Sequence, residues 1–301
     1  MTAPFSSAGS SFHYEIALLL RYNNHACTHY EGGFFMQQTN QRVLTMDHGY
    51  NFRELGGYPA RDGQTVKWQR VIRTGTLAHL SDRDQQTLVD YGLKYDVDFR
   101  SDGEVAEAPD QIPSNIVYRH LPVFPDDKTD ASKTQAQLNA ELKARKKSGF
   151  DHMVSVYQEM IIEPQAHSAY QTFFATLLSN TNEKNVLLFH CTAGKDRTGM
   201  GATFFLSALG VPQKIIKQDY LLTNDVLSPF VQARMTKAKN EGVTGTMLAT
   251  IKAQMSVSSG YFDAAMKAID EHYGSMPQFL NEALQLSSED ITDLKKLYLT
   301  H

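Results

Sequence analysis

The stretch that decides the fold of this 301-residue chain is Val186–Gly199, which reads VLLFHCTAGKDRTG. Its first four residues form a continuous apolar run, which is typical of a strand buried on both faces of a parallel sheet. Small and polar residues follow, and Met200–Leu209 is again mostly apolar, which indicates a buried helix. The segment therefore predicts a strand, a tight loop and a helix in succession.

The sequence on both sides continues this alternation of strands and helices. A Ser-x-x-Asp capping box at Ser81 and Asp84 predicts a helix that ends near Gly92, and a second box begins at Ser287. Further strands are predicted at Val71–Arg73, Tyr95–Phe99 and Val117–Val123, and helices at Met153–Leu178 (with a break at Pro164), Ile215–Leu222 and the C-terminus. The predicted fold class is α/β: a single domain with a central, mainly parallel sheet flanked by helices.

Three segments depart from this pattern. Residues 1–42 predict an N-terminal extension, so that residues 43–301 form the domain. Asp126–Lys147 is polar and rich in Lys, Gln and Ala, which predicts an exposed helical insertion. Leu227–Ser256 carries three methionines among Lys and Ala, which predicts helices that either form a lid or belong to the ordinary core packing.

Composition narrows the classes of protein and the compartment. A net charge of −4 gives no overall positive field, so nucleic acid is not an expected partner. Cys27 and Cys191 are the two cysteines; they are too few and too far apart for a disulfide framework, which favours a reducing compartment. The apolar run Ile16–Leu20 is too short for a membrane span or a secretory signal. We therefore expect a cytoplasmic protein without an integral membrane segment, while export without a cleaved signal stays open.

The loop after Val186–Phe189 has the composition of an anion site. Backbone N–H groups of a tight loop and the N-terminus of the following helix attract phosphate. Ala193 and Gly194 keep the loop small, and Arg197 supplies a planar fork for two phosphate oxygens. A thiol in this field ionises more readily than a free one, so Cys191 is the candidate nucleophile. The Thr198 hydroxyl can hydrogen-bond its sulfur, and His190 is expected to order the loop.

These residues resemble the signature loop of the cysteine-dependent tyrosine phosphatase superfamily. The sequence Lys195-Asp196-Arg197 is similar to that of the atypical bacterial branch of tyrosine and lipid phosphatases, which includes mycobacterial and Listeria enzymes. Other segments similar to that branch are Asn51–Tyr58, Arg73–Gly75, Asp98–Ser101 and Asp219–Leu222. The resemblance implies a single α/β domain that needs no metal and no cofactor. It also implies hydrolysis of phosphotyrosine, sometimes phosphoserine or phosphothreonine, and often phosphoinositides.

The resemblance also implies roles for individual residues. Cys191 matches the nucleophile, Arg197 the phosphate clamp, Asp196 the general acid and Lys195 a lysine associated with multiply phosphorylated substrates. The expected substrate-binding residues are Thr192, Ala193, Gly194, Lys195, Thr198, Asp98 and Arg53.

The identity of the general acid stays open, because the chain lacks the Trp-Pro-Asp text of the common eukaryotic pattern. Asp196 lies in the loop itself, Asp98 ends a predicted strand, and Asp126 and Asp127 follow a proline where a moving loop could lie. For Asp98 the alternative is an ion pair with Arg100 or Arg53. For Lys195 the alternative to a role in substrate binding is a side chain that simply faces solvent.

Two other functions use similar residues. A phosphatase that has lost turnover would bind phosphorylated partners, but the nucleophile, the clamp and Thr198 are all present. A sulfur transferase also uses a cysteine in an anion-binding loop, but Arg197 and the Asn51–Tyr58 text disfavour it. The partners predicted are therefore phosphorylated proteins or phosphoinositides.

Overall fold

The computed structural model describes residues 42–132 and 148–300. Five strands in these ranges form one sheet in the order β1-β2-β5-β3-β4. Strand β1 runs antiparallel to β2, and all other neighbours are parallel. The strands are β1 (Arg53–Glu54), β2 (Val71–Thr74), β3 (Leu93–Asp98), β4 (Val117–His120) and β5 (Val186–His190). The predicted α/β class with a mainly parallel sheet is confirmed.

Helices connect and flank these strands. The helices before the central strand β5 are α1 (Asp82–Tyr91), α2 (Asp102–Glu107), α3 (Gly149–Ile162) and α4 (Pro164–Ser179). Those after it are α5 (Arg197–Ala208), α6 (Gln213–Val226), α7 (Ser228–Asn240), α8 (Gly245–Met255), α9 (Ser259–Tyr273), α10 (Met276–Glu282) and α11 (Ser288–Tyr298). Pro164 begins α4, as expected for a residue that cannot continue α3 but suits a first helical turn.

Strand β5 is central because its side chains are apolar on both faces. All five of its residues are buried, and it pairs with β2 on one side and β3 on the other. The register places His190 opposite both Thr74 and Asp98. The carboxyl ends of three parallel strands therefore meet at one edge, where ligands of open α/β sheets usually bind.

The predicted helix ends are confirmed. Ser81 and Asp84 form a reciprocal capping box at the start of α1, and Ser287 and Asp290 form one at the start of α11. Gly92 ends α1 with φ of 100°, a left-handed conformation that costs glycine little.

Two predicted elements need correction, and two segments lie outside the described ranges. Strand β4 ends at His120 instead of reaching Val123, and Leu121 then donates its N–H to Asp98. Asp126–Ser132 is a series of turns, not an exposed helix, because the Asp127 carboxylate accepts from the N–H groups of Thr129 and Ser132. The rest of that predicted insertion, 133–147, and residues 1–41 of the predicted extension are not among the described residues.

Helices α7 and α8 pack on each other, and α8 also packs against α3. Ala238, Ile251 and Met255 are the buried members of a small hydrophobic cluster that is separate from the main core. Met235 and Met247 pack against this cluster. Within residues 42–132 and 148–300, no helix is both long and apolar enough to cross a membrane.

Candidate active site

The connection between β5 and α5 is a tight loop, Cys191–Asp196, whose residues are all buried. Gly194 has φ of 66°, and a Cβ at this position would overlap the carbonyl group of Thr74. Only glycine therefore allows the loop to approach strand β2 this closely. Cys191, at the start of the loop, is 1% exposed.

The loop carbonyl groups are hydrogen-bonded to donors outside the loop. Those donors are Tyr50 Oη for Thr192 (2.6 Å), Asn51 Nδ2 for Ala193 (3.0 Å) and Gly194 (2.9 Å), and Arg73 Nη2 for Gly194 (2.9 Å). In a trans peptide the N–H points opposite to the C=O, so three successive N–H groups face the inside of the loop. The loop is thereby shaped as a cradle for an anion.

Arg197, the first residue of α5, is fixed by Glu104 at the edge of this cradle. Its Nη1 donates to Glu104 Oε2 at 2.7 Å and its Nη2 to Oε1 at 2.9 Å. Burial opposes the charge on Glu104, but the Arg197 guanidinium outweighs it and lowers the pKa of Glu104 to about 2. The carboxylate therefore stays ionised and holds the plane of the guanidinium.

The remaining edge of the Arg197 guanidinium is available to a ligand. Its Nε has no hydrogen-bond partner in the described part of the chain, and its Nη2 also lies 3.2 Å from Thr129 Oγ1. The hydroxyl of Thr198 is likewise buried without a partner there. Buried polar groups are normally satisfied, so these donors indicate a site for a polar ligand.

Asp196, the last residue of the loop, is held by two donors. Tyr157 Oη on α3 donates to its Oδ1 at 2.8 Å, and Lys195 Nζ lies 2.5 Å from its Oδ2. Tyr220 Oη donates in turn to Tyr157 Oη at 2.9 Å. Burial and the neighbouring Asp196 charge raise the pKa of Tyr157 well above its usual value, so Tyr157 remains a phenol that can donate.

Asp98 and Arg53 lie in ion pairs behind the loop. Both oxygens of Asp98 accept from the Arg100 guanidinium, at 2.7–3.0 Å, which matches the ion-pair alternative for this residue. Burial opposes its charge, but His190 and Arg100 together hold the pKa of Asp98 well below its usual range. An acid must be protonated to donate, so this environment disfavours Asp98 as the general acid.

Arg53 does not rim the cradle. It is fully buried, donates to Asn51 Oδ1 and to Thr223 Oγ1 (3.0 Å), and its Nε lies 3.7 Å from Asp219 Oδ1. Since Asn51 binds two loop carbonyls, Arg53 supports the loop from behind.

The two carboxylates after Pro125 differ from each other. Asp126 is exposed, whereas the Asp127 side chain is almost buried and its Oδ1 lies 3.7 Å from Arg197 Nη2. Burial, followed by the nearby Glu104 charge, raises the pKa of Asp127 despite the opposing pull of Arg197. Asp127 therefore stays an alternative acid, and Asp126 lies away from these contacts.

Residues of α7 and α8 line a narrow cavity next to the loop. The cavity measures about 30 Å³ and has Ala193 and Lys195 on the loop side. Tyr50, Leu227, Phe230, Ile251 and Met255 supply apolar lining, and Asp130, Arg234 and Gln254 supply polar groups. A space this small holds little more than a water molecule. Lys195 is buried here and does not face solvent.

Several residues of this site were not singled out by the sequence. Tyr157 lies within the predicted helix Met153–Leu178. Asn51 belongs to the segment Asn51–Tyr58, which was noted only for its resemblance, and Tyr50 precedes it. Glu104 carries one usable signal: with Ser101 it forms a capping box at the start of α2, directly after the Asp98–Ser101 text. That spacing would have placed a carboxylate near the edge of the sheet where β3 ends.

An anion cradle after the central strand, closed by a buried cysteine and an arginine, defines a protein built to bind a phosphate group. Comparison of the sequence with known protein families identifies the class of protein more closely. The model of the tyrosine phosphatase family matches residues 44–300, and the chain belongs to that family. It is a phosphatase, a hydrolase whose substrates are phosphorylated.

Curated relatives agree with this assignment. A protein of Cupriavidus necator, named as a tyrosine-protein phosphatase, is 32% identical over 257 residues, which is 85% of this chain and 88% of that protein. The triple specificity protein phosphatase PtpB of Mycobacterium tuberculosis is 30% identical over 267 residues, 80% of this chain and 94% of that protein. A tyrosine-protein phosphatase of Nostoc commune is 25% identical over 243 residues, 79% of this chain and 76% of that protein.

Proposed function

We propose that this phosphatase hydrolyses phosphate monoesters in two steps through a phosphocysteine at Cys191, with phosphotyrosine in proteins as its main substrate. The observation that carries the proposal is the hydrogen bonding of the loop carbonyls of Thr192, Ala193 and Gly194 to outside donors. It turns the N–H groups of Ala193, Gly194 and Lys195 into the loop, where the non-bridging oxygens of a phosphate would bind.

In the first step the Cys191 thiolate attacks phosphorus in line with the leaving oxygen. The S–P bond forms as the P–O bond breaks, and Asp196, which holds a proton when the phosphate dianion is bound, gives that proton to the leaving oxygen. The inward N–H groups and the free edge of Arg197 neutralise the charge on the equatorial oxygens. Tyr157 and Lys195 orient the Asp196 carboxyl for this transfer.

In the second step water hydrolyses the phosphocysteine. Asp196, now ionised, removes a proton from the water as its oxygen attacks phosphorus and the S–P bond breaks. The sulfur leaves as a thiolate, and the Thr198 hydroxyl, which has no other partner in the described ranges, is available to donate to it. Inorganic phosphate is released and the starting protonation state is restored.

The walls of the cavity support an aryl substrate. Tyr50, Leu227 and Phe230 would flank the ring of a phosphotyrosine whose phosphate lies in the loop. Lys195 would favour a substrate with additional negative charge, and Arg234 lines the same cavity. We include phosphoserine, phosphothreonine and phosphoinositides as further substrates, in keeping with the triple specificity in the name of the mycobacterial relative.

The decisive experiment measures phosphate release in EDTA and a reductant. The substrates are a phosphotyrosine peptide, a phosphoserine peptide and a panel of phosphoinositides. We expect turnover of the phosphotyrosine peptide and a loss of about 10³-fold or more in Cys191→Ser. Rapid acid quench of the wild type with labelled substrate should trap phosphate on the protein, and this label should be absent from Cys191→Ser.

Cys27→Ser is the matched control, because it removes the other cysteine of the chain. It should keep full activity. Full activity in Cys191→Ser would refute the phosphocysteine, and binding of all substrates without any turnover would instead identify a phospho-ligand binding module.

A further inference from the structure

A second cavity lies at the end of α5 that is remote from the phosphate loop, and we call it the α9 groove. It measures about 690 Å³ and is lined by side chains of α5, α6, α9, α10 and α11 together with Arg61. Small-molecule sites typically measure about 300–1,000 Å³. Ala208 lines the groove at the last position of α5, about 16 Å along the helix from Arg197 at its first position. The groove shares no lining residue with the cavity next to the loop.

The floor of the groove is mainly aliphatic. Ile269 and Leu280 are buried members of the main core that line it, and Met266 and Met276 add half-buried thioether side chains. Phe262 is the one aromatic side chain among its lining residues. A planar ring would therefore find little surface for stacking, whereas a flexible alkyl chain can follow methionine and leucine side chains.

Two basic side chains lie at the rim of this apolar floor. Arg61 comes from the connection between β1 and β2, and Lys295 comes from α11; both are exposed and both line the groove. The stem of Arg61 passes over Gly210, where an added Cβ would lie 3.8 Å from its Cγ. Within residues 42–132 and 148–300, neither basic side chain forms an ion pair or a hydrogen bond through its charged group. Both charges are therefore available to an anion.

The remaining charges around the groove also favour an anion. Gln213 lines it at the first position of α6, and this helix has Pro212 as its N-cap and no side-chain cap, so its positive end is not neutralised there. Asp270 on α9 is the acidic residue of the lining, and it pairs with neither Arg61 nor Lys295. The lining is thus locally positive in a chain whose net charge is −4.

We propose that the α9 groove binds a single-chain anionic amphiphile such as a fatty acid. The alkyl chain lies along the aliphatic floor, and the carboxylate binds at Arg61 and Lys295. This binding is independent of the phosphatase mechanism, because the groove and the phosphate loop have no residue in common. A free fatty acid and the acyl chain of an anionic phospholipid offer the same chemistry, and the experiments below distinguish them.

The first experiment compares two probes that share an alkyl chain and differ in the charge of the head group. Isothermal titration of the full chain with laurate, below its micelle-forming concentration, should show one site. Dodecyltrimethylammonium should bind about tenfold more weakly or not at all, because its head group meets the two basic side chains. Saturating inorganic phosphate should not displace laurate. Equal affinity for the two probes, or displacement by phosphate, would overturn the proposal.

Charge reversal tests the rim of the groove. Arg61→Glu and Lys295→Glu should each weaken laurate several-fold, and together by about tenfold, while dodecyltrimethylammonium binds more tightly. Lys296→Glu is the matched control: it makes the same change one position further along α11, outside the groove lining, where Lys296 pairs with Asp293. If Lys295→Glu and Lys296→Glu bind laurate equally, the carboxylate does not lie at this rim.

The floor of the groove is tested separately. Met266→Gln should weaken both probes to a similar extent, since it acts on the alkyl chain that they share. Met247→Gln replaces another half-buried methionine, on α8 and outside the groove, and should change neither affinity. Loss of binding in Met247→Gln with full binding in Met266→Gln would place the amphiphile elsewhere on the molecule.

Two further titrations identify the source of the alkyl chain. Phosphatidylglycerol vesicles that compete with laurate in wild type, and less in the double variant of Arg61 and Lys295, would support the groove with a membrane lipid as the source. Competition by monomeric laurate alone would support it with a free fatty acid. Laurate that binds Leu19→Asp and not the wild type would mean that the apolar run Ile16–Leu20 of this chain fills the groove, and the proposal would be wrong. Absence of binding to both proteins would equally overturn it.

Discussion

At the scale of single residues, the contact between Arg197 and Glu104 determines which edge of the guanidinium a phosphate can reach. The carboxylate accepts from Nη1 and Nη2, and Nη2 also donates to Thr129 Oγ1, so Nε is the donor that has no partner in the described part of the chain. Because the pair is buried and bidentate, rotation of the guanidinium would leave charges unpaired. Glu104 thus acts on the substrate through Arg197.

Glu104→Gln tests this contact. It leaves Arg197 charged and buried beside a neutral amide, which is expected to cost about 3–5 kcal/mol of folding stability. The guanidinium also loses its fixed plane, so kcat/KM should fall by about 10–100-fold with weaker inhibition by vanadate. Glu107→Gln, an exposed residue on the same helix α2, should behave as wild type. Unchanged vanadate affinity in Glu104→Gln would show that Arg197 needs no such partner.

The general acid is the other question at this scale, and the leaving group separates the candidates. Removing the acid slows substrates with basic leaving groups much more than those that leave unaided. In Asp196→Asn, hydrolysis of phosphotyrosine should therefore drop by about 10²–10⁴-fold, but that of an aryl phosphate with an acidic phenol far less.

Asp127→Asn and Asp126→Asn complete this comparison under identical conditions. Asp126 is exposed and serves as the matched control, whereas the side chain of Asp127 is 6% exposed and lies close to Arg197. If the dependence on the leaving group appears in Asp127→Asn and not in Asp196→Asn, the acid lies on the loop before α3.

At the scale of elements, the phosphate loop depends on a backbone conformation that one residue allows. Gly194→Ala combines a positive φ with overlap of the new Cβ and the Thr74 carbonyl. We expect a loss of about 1–3 kcal/mol in stability and nearly complete loss of activity, because the cradle must shift away from β2. Gly103→Ala is the control: it lies on α2 with open space around the position. Equal activity of both variants would mean that the loop tolerates the shift.

The lid formed by α7 and α8 should control access to Cys191. Phe230 lines the cavity and stacks near Tyr50, with ring centroids 6.3 Å apart. Phe230→Ala removes this cover, so alkylation of Cys191 should become several-fold faster and KM for bulky phosphopeptides should decrease. Gln232→Ala, on the exposed side of the same helix, should change neither value. Alkylation at the wild-type rate would indicate that entry does not require this side chain to move.

The helices and turns also show which structural features can be predicted from neighbouring residues in the sequence. Helix starts at Ser81 and Ser287 were predictable because a capping box is a contact over three residues. The turns at Asp126–Ser132 were not, because their polar composition equally suits a helix until Asp127 binds the backbone N–H groups that follow it. These hydrogen bonds form where Asp127 also lies 3.7 Å from Arg197, which is 70 residues away in the chain.

At the scale of the whole molecule, the residues of the phosphate loop could be proposed from the sequence, whereas the residues that contact the loop from other elements could not. The nucleophile candidate, the arginine and the glycine lie in one continuous stretch, so their spacing carries the information. Tyr50, Arg73 and Glu104 contact the loop across 142, 121 and 88 residues of the chain, and they come from separate segments. Their roles follow from the order of the strands in the sheet, which places the ends of β2, β3 and β5 together.

Asp219 on α6 shows how such distant contacts link the site to global stability. Its carboxylate binds Arg73 Nη1 at 2.7 Å and lies 3.7 Å from Arg53 Nε, so it joins α6 to β1, β2 and the loop. Burial opposes its charge, but Arg73 and Arg53 outweigh it and lower the pKa of Asp219. A lowered pKa stabilises the fold at a pH above the ordinary Asp value, and this contribution is lost as pH falls through the folded-state pKa.

Asp219→Asn should therefore destabilise the protein by about 3–5 kcal/mol at pH 7, because two buried guanidiniums lose their carboxylate. The difference in stability from wild type should become smaller as pH falls toward 3. The carboxylate of wild-type Asp219 then begins to be protonated, so its stabilising ion pairs are lost. Urea unfolding at both pH values measures this gap. Asp225→Asn, exposed on the same helix, should show none. A gap of equal size at pH 7 and pH 3 would mean that Asp219 contributes through packing and hydrogen bonds, with no linkage to its charge.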